Sequence, residues 1–237
     1  MQATLANQEY QPNVITPQPI IQEMIDQVSQ SRTLADLRRL TGVDELCVGS
    51  NCGLITSRYT GSSDLQRVES YVYSTLINLH YSVEDIAWSR GGFSDHNILA
   101  HKRGVLYPNE EIYFIAHLDG VPNPGPAADD DGSGSAALLE LARILANRFT
   151  CRSVTLFFST GEEEGTLGSS YFVDNYSQRL GNIKYMVNVE MLGYDSNGDG
   201  AMELFNGNQS PGFVQLLMDI IDAYPINLSP EIYSDCG

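Results

Sequence analysis

Short apolar runs rich in β-branched and aromatic residues recur through the middle of the chain, with amphipathic helical patterns between them. This alternation restricts the fold more than any other feature of the sequence. Strand-like runs lie near Asn97–His101, Glu111–Ala116, Val154–Ser159 and Tyr185–Val189, and helical patterns cover Ser133–Asn147, Ser169–Ser177 and Gly212–Ala223. Interleaved in this way they predict an α/β fold: a single domain with a mixed, mostly parallel central sheet flanked by helices. Upstream, Ile20, Ile21, Met24, Ile25 and Val28, then Leu34, Leu37 and Leu40, recur every three or four residues and predict two amphipathic helices. Leu65, Val68, Val72, Leu76 and Leu79 predict a third, with Ser62, Ser63 or Asp64 as its N-cap. No repeat or low-complexity linker divides the 237 residues, so one domain is expected over residues 20–237, behind a polar, Gln-rich extension over residues 1–19.

Charge narrows the partners. Thirty acidic residues against thirteen basic ones give a net charge of −17, and no basic stripe interrupts it. Such a surface repels nucleic-acid phosphates and anionic membranes, so neither is an expected partner. No apolar run approaches the roughly 20 residues needed to cross a bilayer. Cys47 and Cys52 bracket a four-residue loop that a local disulfide could close, whereas Cys151 and Cys236 have no neighbour in sequence. Four free thiols would suit a cytosolic protein; the close pair favours an exported one, extracellular or periplasmic.

The chemistry is concentrated in four acidic patches: His117-Leu118-Asp119, Asp129-Asp130-Asp131, Glu162-Glu163-Glu164 and Glu190. Three of them follow the expected strands directly, and in open α/β sheets the crevice beyond the strand ends is where ligands collect. Taken singly, each patch has a plain explanation: a surface His-x-Asp pair, an acidic helix start, a solvated turn. Glu190 is harder to dismiss, because a carboxylate closing an apolar strand needs a partner. Together, His117, Asp129, Glu163 and Glu190 supply the nitrogen and oxygen donors of a catalytic zinc site. Asp119 is placed to accept the second imidazole N–H, and Glu162 to act as general base and acid.

In Ala116-His117-Leu118-Asp119, Pro124 to Gly134 (PGPAADDDGSG), Gly161 to Ser169 (GEEEGTLGS) and Asn188 to Tyr194 (NVEMLGY), the chain resembles the zinc aminopeptidases of the bacterial leucyl aminopeptidase type, in the MH clan of co-catalytic metallopeptidases. The likeness runs from about Ile20 to the C-terminus. It implies two zinc ions and a peptide substrate. His117 would bind one zinc and Asp129 would bridge the two, with a cis bond to Asp130; Glu163 would bind the other zinc, and Glu162 would be the base. Glu190 stands where the family more often has Asp and is expected to join His117 on the first zinc. The family's last ligand is a second histidine, just beyond a Tyr-x-x-Cys-Gly segment that Tyr233–Gly237 resembles. The resemblance therefore implies a fifth ligand beyond Gly237 and impaired activity for the 237 residues alone. His96, in Ser94-Asp95-His96, echoes the missing motif but stands at the wrong place in the chain order. Glutaminyl cyclisation with one zinc, and a non-catalytic binding domain on the same fold, are the rival readings. Asp195 to Gly200 has the alternating oxygens of a calcium loop, but its twelfth position is Asn206 rather than a bidentate Glu, and a turn explains it more simply.

Overall fold

The computed structural model describes residues 14–122, 125–195, 198–205 and 211–233. In chain order its elements are α1 (Pro19–Asp26), α2 (Gln30–Leu40), the short strands β1 (Leu46–Val48) and β2 (Asn51–Gly53), α3 (Ser63–Asn78), β3 (Ser82–Arg90), β4 (Phe93–Lys102), β5 (Tyr107–His117), α4 (Gly134–Ala146), β6 (Arg152–Ser159), α5 (Leu167–Asn175), α6 (Ser177–Leu180), β7 (Ile183–Asn188), β8 (Ala201–Phe205), α7 (Pro211–Ala223) and β9 (Ser229–Tyr233). The described residues form two compact units, one within residues 27–194 and one combining those up to Asp26 with those from Asp195 onward. The first holds the central sheet and every residue of the candidate site; α1 groups with the C-terminal stretch.

The sheet runs β3-β4-β6-β5-β7. β3, β4 and β6 pair antiparallel, whereas β5 lies parallel between β6 and β7. The expected mixed α/β sheet with flanking helices is thus present, and its parallel half carries the site. β6 occupies the middle and is covered on both faces, which is why Val154, Leu156, Phe157 and Phe158 are all buried and only Thr155, itself buried, interrupts them. On one face Phe157 joins Leu99, Ile86 and Tyr113 under Phe172 of α5. The other face lies against α3 and α4. α3 presents the buried stripe Leu65, Val68, Val72 and Leu76, and the Ser62 hydroxyl caps it by accepting from the Leu65 amide at 3.1 Å. Buried Asp36 of α2 ties three helices together, accepting from Tyr71 at 2.6 Å and pairing with Arg143 at 2.5 Å.

β3 was not expected. Its Glu84 and Asp85 dilute the apolar pattern, because an edge strand needs only one buried face, and here Ile86 and Trp88 supply it. The legible sign was Gly91-Gly92. Both residues have positive φ, +64° and +90°, and they make the two-residue turn that joins Arg90 to its partner Phe93. Cys47 and Cys52 form the local disulfide and lie opposite one another in the β1–β2 hairpin. Cys151 is free and exposed, while Cys236 lies outside the described residues.

In the other unit, β8 and β9 pair in parallel, with Phe205 and Tyr233 in ring contact at 5.5 Å. The Gln18 amide donates to the Tyr224 hydroxyl just after α7. In the calcium-like segment, Asp195 accepts from the amides of Gly198 and Gly200, and Asp199 from that of Ala201. These bonds are those of a turn; Ser196, Asn197 and Asn206 lie outside the described residues. Among the described residues no helix is long and apolar enough to cross a membrane.

Candidate metal centre

Because β5 is flanked in parallel by β6 and β7, the C-terminal ends of all three strands open on one rim, and four loops meet there. β5 ends on His117, which is 3% exposed. Its amide donates to Asp131 Oδ2 at 3.0 Å and its carbonyl accepts from the Ser135 hydroxyl at 2.8 Å, so the imidazole is held by its own backbone against the start of α4. The next amide, Leu118, donates to Ser159 O at the end of β6.

The acidic run lies on a tight turn over Ala128–Ser133, entered through Ala127 in a left-handed conformation with φ 53°. Its three aspartates face three ways. Asp129 Oδ1 accepts from the Gly193 amide at 2.7 Å and from the Ser133 hydroxyl at 3.1 Å, fastening the turn to the loop after β7. Asp130 Oδ1 lies 2.9 Å from His117 Nε2. Asp131 is fully buried and accepts from the amides of His117 and Gly134; burial pushes its carboxyl up to about 7, against the pull of His117 and these two donors. Gly134 is required where the turn enters α4, since a Cβ there would stand 2.1 Å from Val189 O and 2.4 Å from Asp131 Oδ1.

The structure brings Asp130 to His117, one residue beyond the Asp129 expected to bridge. Asp130 is the carboxylate that meets His117, and Asp129 spends its oxygen on a neighbouring loop. The cis peptide falls likewise one position later, between Asp130 and Asp131. Glu190, two residues beyond β7, brings Oε1 to 3.6 Å from His117 Nε2, while its Oε2 accepts from the Asn188 amide group at 2.6 Å. His117, Asp130 and Glu190 each offer a donor atom within 4.8 Å of the others, and this is the one such cluster among the described residues.

On the opposite side of the ring, His117 Nδ1 lies 3.4 Å from Asp119 Oδ1, both atoms buried and neither holding a hydrogen bond. Asp119 is itself completely buried and is fixed by accepting from the Glu163 amide at 3.1 Å. Burial opposes an imidazolium here, but the negative charge of Asp119 and Glu190 outweighs it and pushes the His117 pKa up to about 11. A divalent cation suits the same place: Nε2 and two carboxylates face it, and the unsatisfied Nδ1–Asp119 contact is the partnership that a coordinated histidine makes on its other nitrogen.

Glu162 and Glu163 sit on the turn after β6. Partial burial raises both carboxyls; beyond that, Glu190, Asp119 and Asp130 push Glu162 up against the opposing charge of His117, and Asp130 is the main charge acting on Glu163. Neither joins the three-donor cluster. The neighbouring Glu164 turns away to accept from the Thr60 hydroxyl. His96 stands apart on β4, 2.5 Å from Asp85.

A model of Peptidase family M28 matches residues 97–235, and the chain belongs to that family. A probable zinc metalloprotease of Pyrenophora teres f. teres is 26% identical over 209 residues, covering 81% of this chain and 43% of the relative. An aminopeptidase of Pseudomonas aeruginosa is 34% identical over 124 residues, 52% of this chain and 22% of its own length. The chain thus spans less than half of these relatives. Among solved structures, LapB from Legionella pneumophila superposes with a TM-score of 0.76 at 20% identity, covering 97% of this chain and 60% of that one. BSAP, a zinc aminopeptidase from Bacillus subtilis, superposes at 0.64 with 14% identity over 75% of this chain and 72% of its own. At these identities the structural likeness shows a shared fold.

Proposed function

We propose that this chain carries the catalytic centre of a zinc aminopeptidase, which removes the N-terminal residue of a peptide. The observation that supports it most is the convergence of His117 Nε2, Asp130 and Glu190 at the rim of β5 and β7, with Asp119 behind the imidazole. Family membership and the names of the relatives agree with it. His117, Asp130 and Glu190 would hold the zinc. A second ion would be held by Glu163 together with Asp130, the strongest charged neighbour of Glu163.

Bound zinc would supply Lewis acidity toward the attacking water and the scissile carbonyl. The remaining work falls to the protein. Partial burial among carboxylates holds the Glu162 carboxyl above the usual range, which suits a group that takes a proton from water and passes it to the leaving amine. Asp119 keeps the His117 ring oriented with Nε2 outward. Asp130 and Glu190 are partly exposed where His117 is not, so a peptide terminus would reach the centre from their side. The Cys47–Cys52 disulfide supports export to an oxidising compartment.

The test is release of nitroaniline from aminoacyl-4-nitroanilides, with and without zinc, by the wild type and by Glu162→Gln. Zinc-dependent release that the variant loses by at least about a hundredfold, while keeping its zinc, is expected. Cyclisation of N-terminal glutaminyl peptides in place of hydrolysis would overturn the reading, as would zinc uptake with no turnover of either substrate.

A further inference from the structure

Arg58 is completely buried, and among the described residues no other side chain so placed is larger. Only one of its guanidinium nitrogens is hydrogen-bonded: Nη2 donates to Ala127 O at 2.6 Å, while Nε and Nη1 have no partner. Nη1 lies directly under the acidic turn, where a Cβ on Gly132 would come within 3.0 Å of it. Its backbone carbonyl accepts from the Gly120 amide at 3.1 Å. One residue therefore grips both loops that form the centre, the loop after His117 through its main chain and the Ala127 turn through its side chain. The charges acting on it are Asp131, Asp119, Asp130 and Glu163, in that order. Burial lowers its pKa only to about 10, so it remains a cation at neutral pH.

A buried guanidinium with two idle nitrogens is poorly explained by hydrogen bonding, because leaving them unpaired costs stability. It is well explained by charge. Four carboxylates packed around one imidazole call for positive charge, and Arg58 supplies a charge that a metal ion on the imidazole would not displace. We propose that Arg58 is a built-in countercharge of the metal centre, a positioning residue that keeps the His117 and Asp130 loops assembled without metal and, being positive, lowers the affinity for the ion. The inference rests on the metal-site reading above. It assigns Arg58 an effect opposite to that of an ordinary structural residue, since removing its charge should strengthen metal binding.

Arg58→Met keeps the length and apolar stem of the side chain without the charge, and Arg58→Lys keeps the charge without the fork. Zinc affinity would be measured by competition with a chromogenic chelator, alongside melting of the full chain with and without zinc. Arg58→Met should bind zinc roughly tenfold more tightly than wild type, given one unit charge facing a divalent ion at low effective dielectric. It should lose more melting temperature metal-free than zinc-loaded, and Arg58→Lys should retain the wild-type affinity. Weaker zinc binding by Arg58→Met, equal losses in both states, or tightening by Arg58→Lys as well would overturn the proposal. If Arg58→Met folds only with zinc present, the countercharge role is supported; if saturating zinc fails to fold it, packing is the role and the proposal falls. A wild-type chain that takes up no zinc would overturn the underlying site reading, an outcome distinct from a wrong sign in the variants.

Discussion

Asp130→Ala and Asp129→Ala, one residue apart in the same acidic run, are expected to fail in different ways. Asp130 is one of three donors facing the centre, 2.9 Å from His117 Nε2. Losing a group that only supports a ligand costs about 10–100-fold in metal affinity, so losing a donor should cost at least about a hundredfold. Asp129 is not among those three; its Oδ1 receives the Gly193 amide and the Ser133 hydroxyl. Hydrogen bonds to a charged acceptor contribute about 1.5–3 kcal/mol each when well buried, and Asp129 is only partly so, giving a stability cost of about 1–3 kcal/mol for the pair. Melting with and without zinc separates the two losses. At a free zinc concentration of about 100 times the dissociation constant, binding stabilises the native state by about 2.7 kcal/mol, or roughly 5–10 °C for a chain of this size. A hundredfold weaker site at the same concentration retains only about 0.4 kcal/mol of that. Asp130→Ala should therefore lose the zinc-induced shift, whereas Asp129→Ala should melt lower in both states with the shift intact. The reverse pattern, with Asp129→Ala losing the zinc response and Asp130→Ala keeping it, would refute the assignment of the three aspartates.

Two further outcomes follow from buried carboxylates. Asp119→Asn should weaken zinc binding about 10–100-fold without unfolding the chain, because the amide keeps the size of the group but cannot hold the His117 N–H as strongly; chelator competition measures it, and unchanged affinity would count against the orienting role. Glu69 of α3, 6% exposed and facing Asp95, is pushed up to about 11 by burial and by that second carboxyl. The folded state then keeps a proton that the unfolded chain releases above about pH 4.5, so this residue's contribution falls as pH rises from there. Glu69→Gln, which cannot ionise, should flatten the urea-unfolding profile between pH 5 and 8 and raise stability at pH 8 by about 1 kcal/mol or more; a loss of stability at pH 8 would show that Glu69 is ionised and paired.

Most of the fold could be read in advance because its elements carry strong periodic signals. β6 reads as a strand since its run is buried on both faces, and α3 reads as a helix since four core residues repeat every three or four positions. β3 escaped because half of it faces solvent and its inner face is marked only by Ile86 and Trp88. Long-range organisation was less legible still. Nothing in the composition around Asp26 or Asp195 announces that the chain divides there, because grouping depends on which segments touch and not on what each contains.

The site was legible in its residue types and blurred in its register, for a physical reason. Three consecutive aspartates are chemically identical, and only the backbone separates their roles. Ala127 enters the turn with φ 53°, and each following residue then projects in a new direction: Asp129 toward the loop after β7, Asp130 toward His117 Nε2, Asp131 toward the amides of His117 and Gly134. A strand would have sent two of the three to the same face, and a regular helix would have fanned them about one axis. Asp130 meets His117 where Ala127 turns the backbone, and the Ala127 carbonyl is held by Arg58. That residue lies sixty-nine positions upstream, in a segment with no motif of its own. A metal centre built on loops depends on such supports, and they are absent from any short motif because their residue types are dictated by what they touch in space.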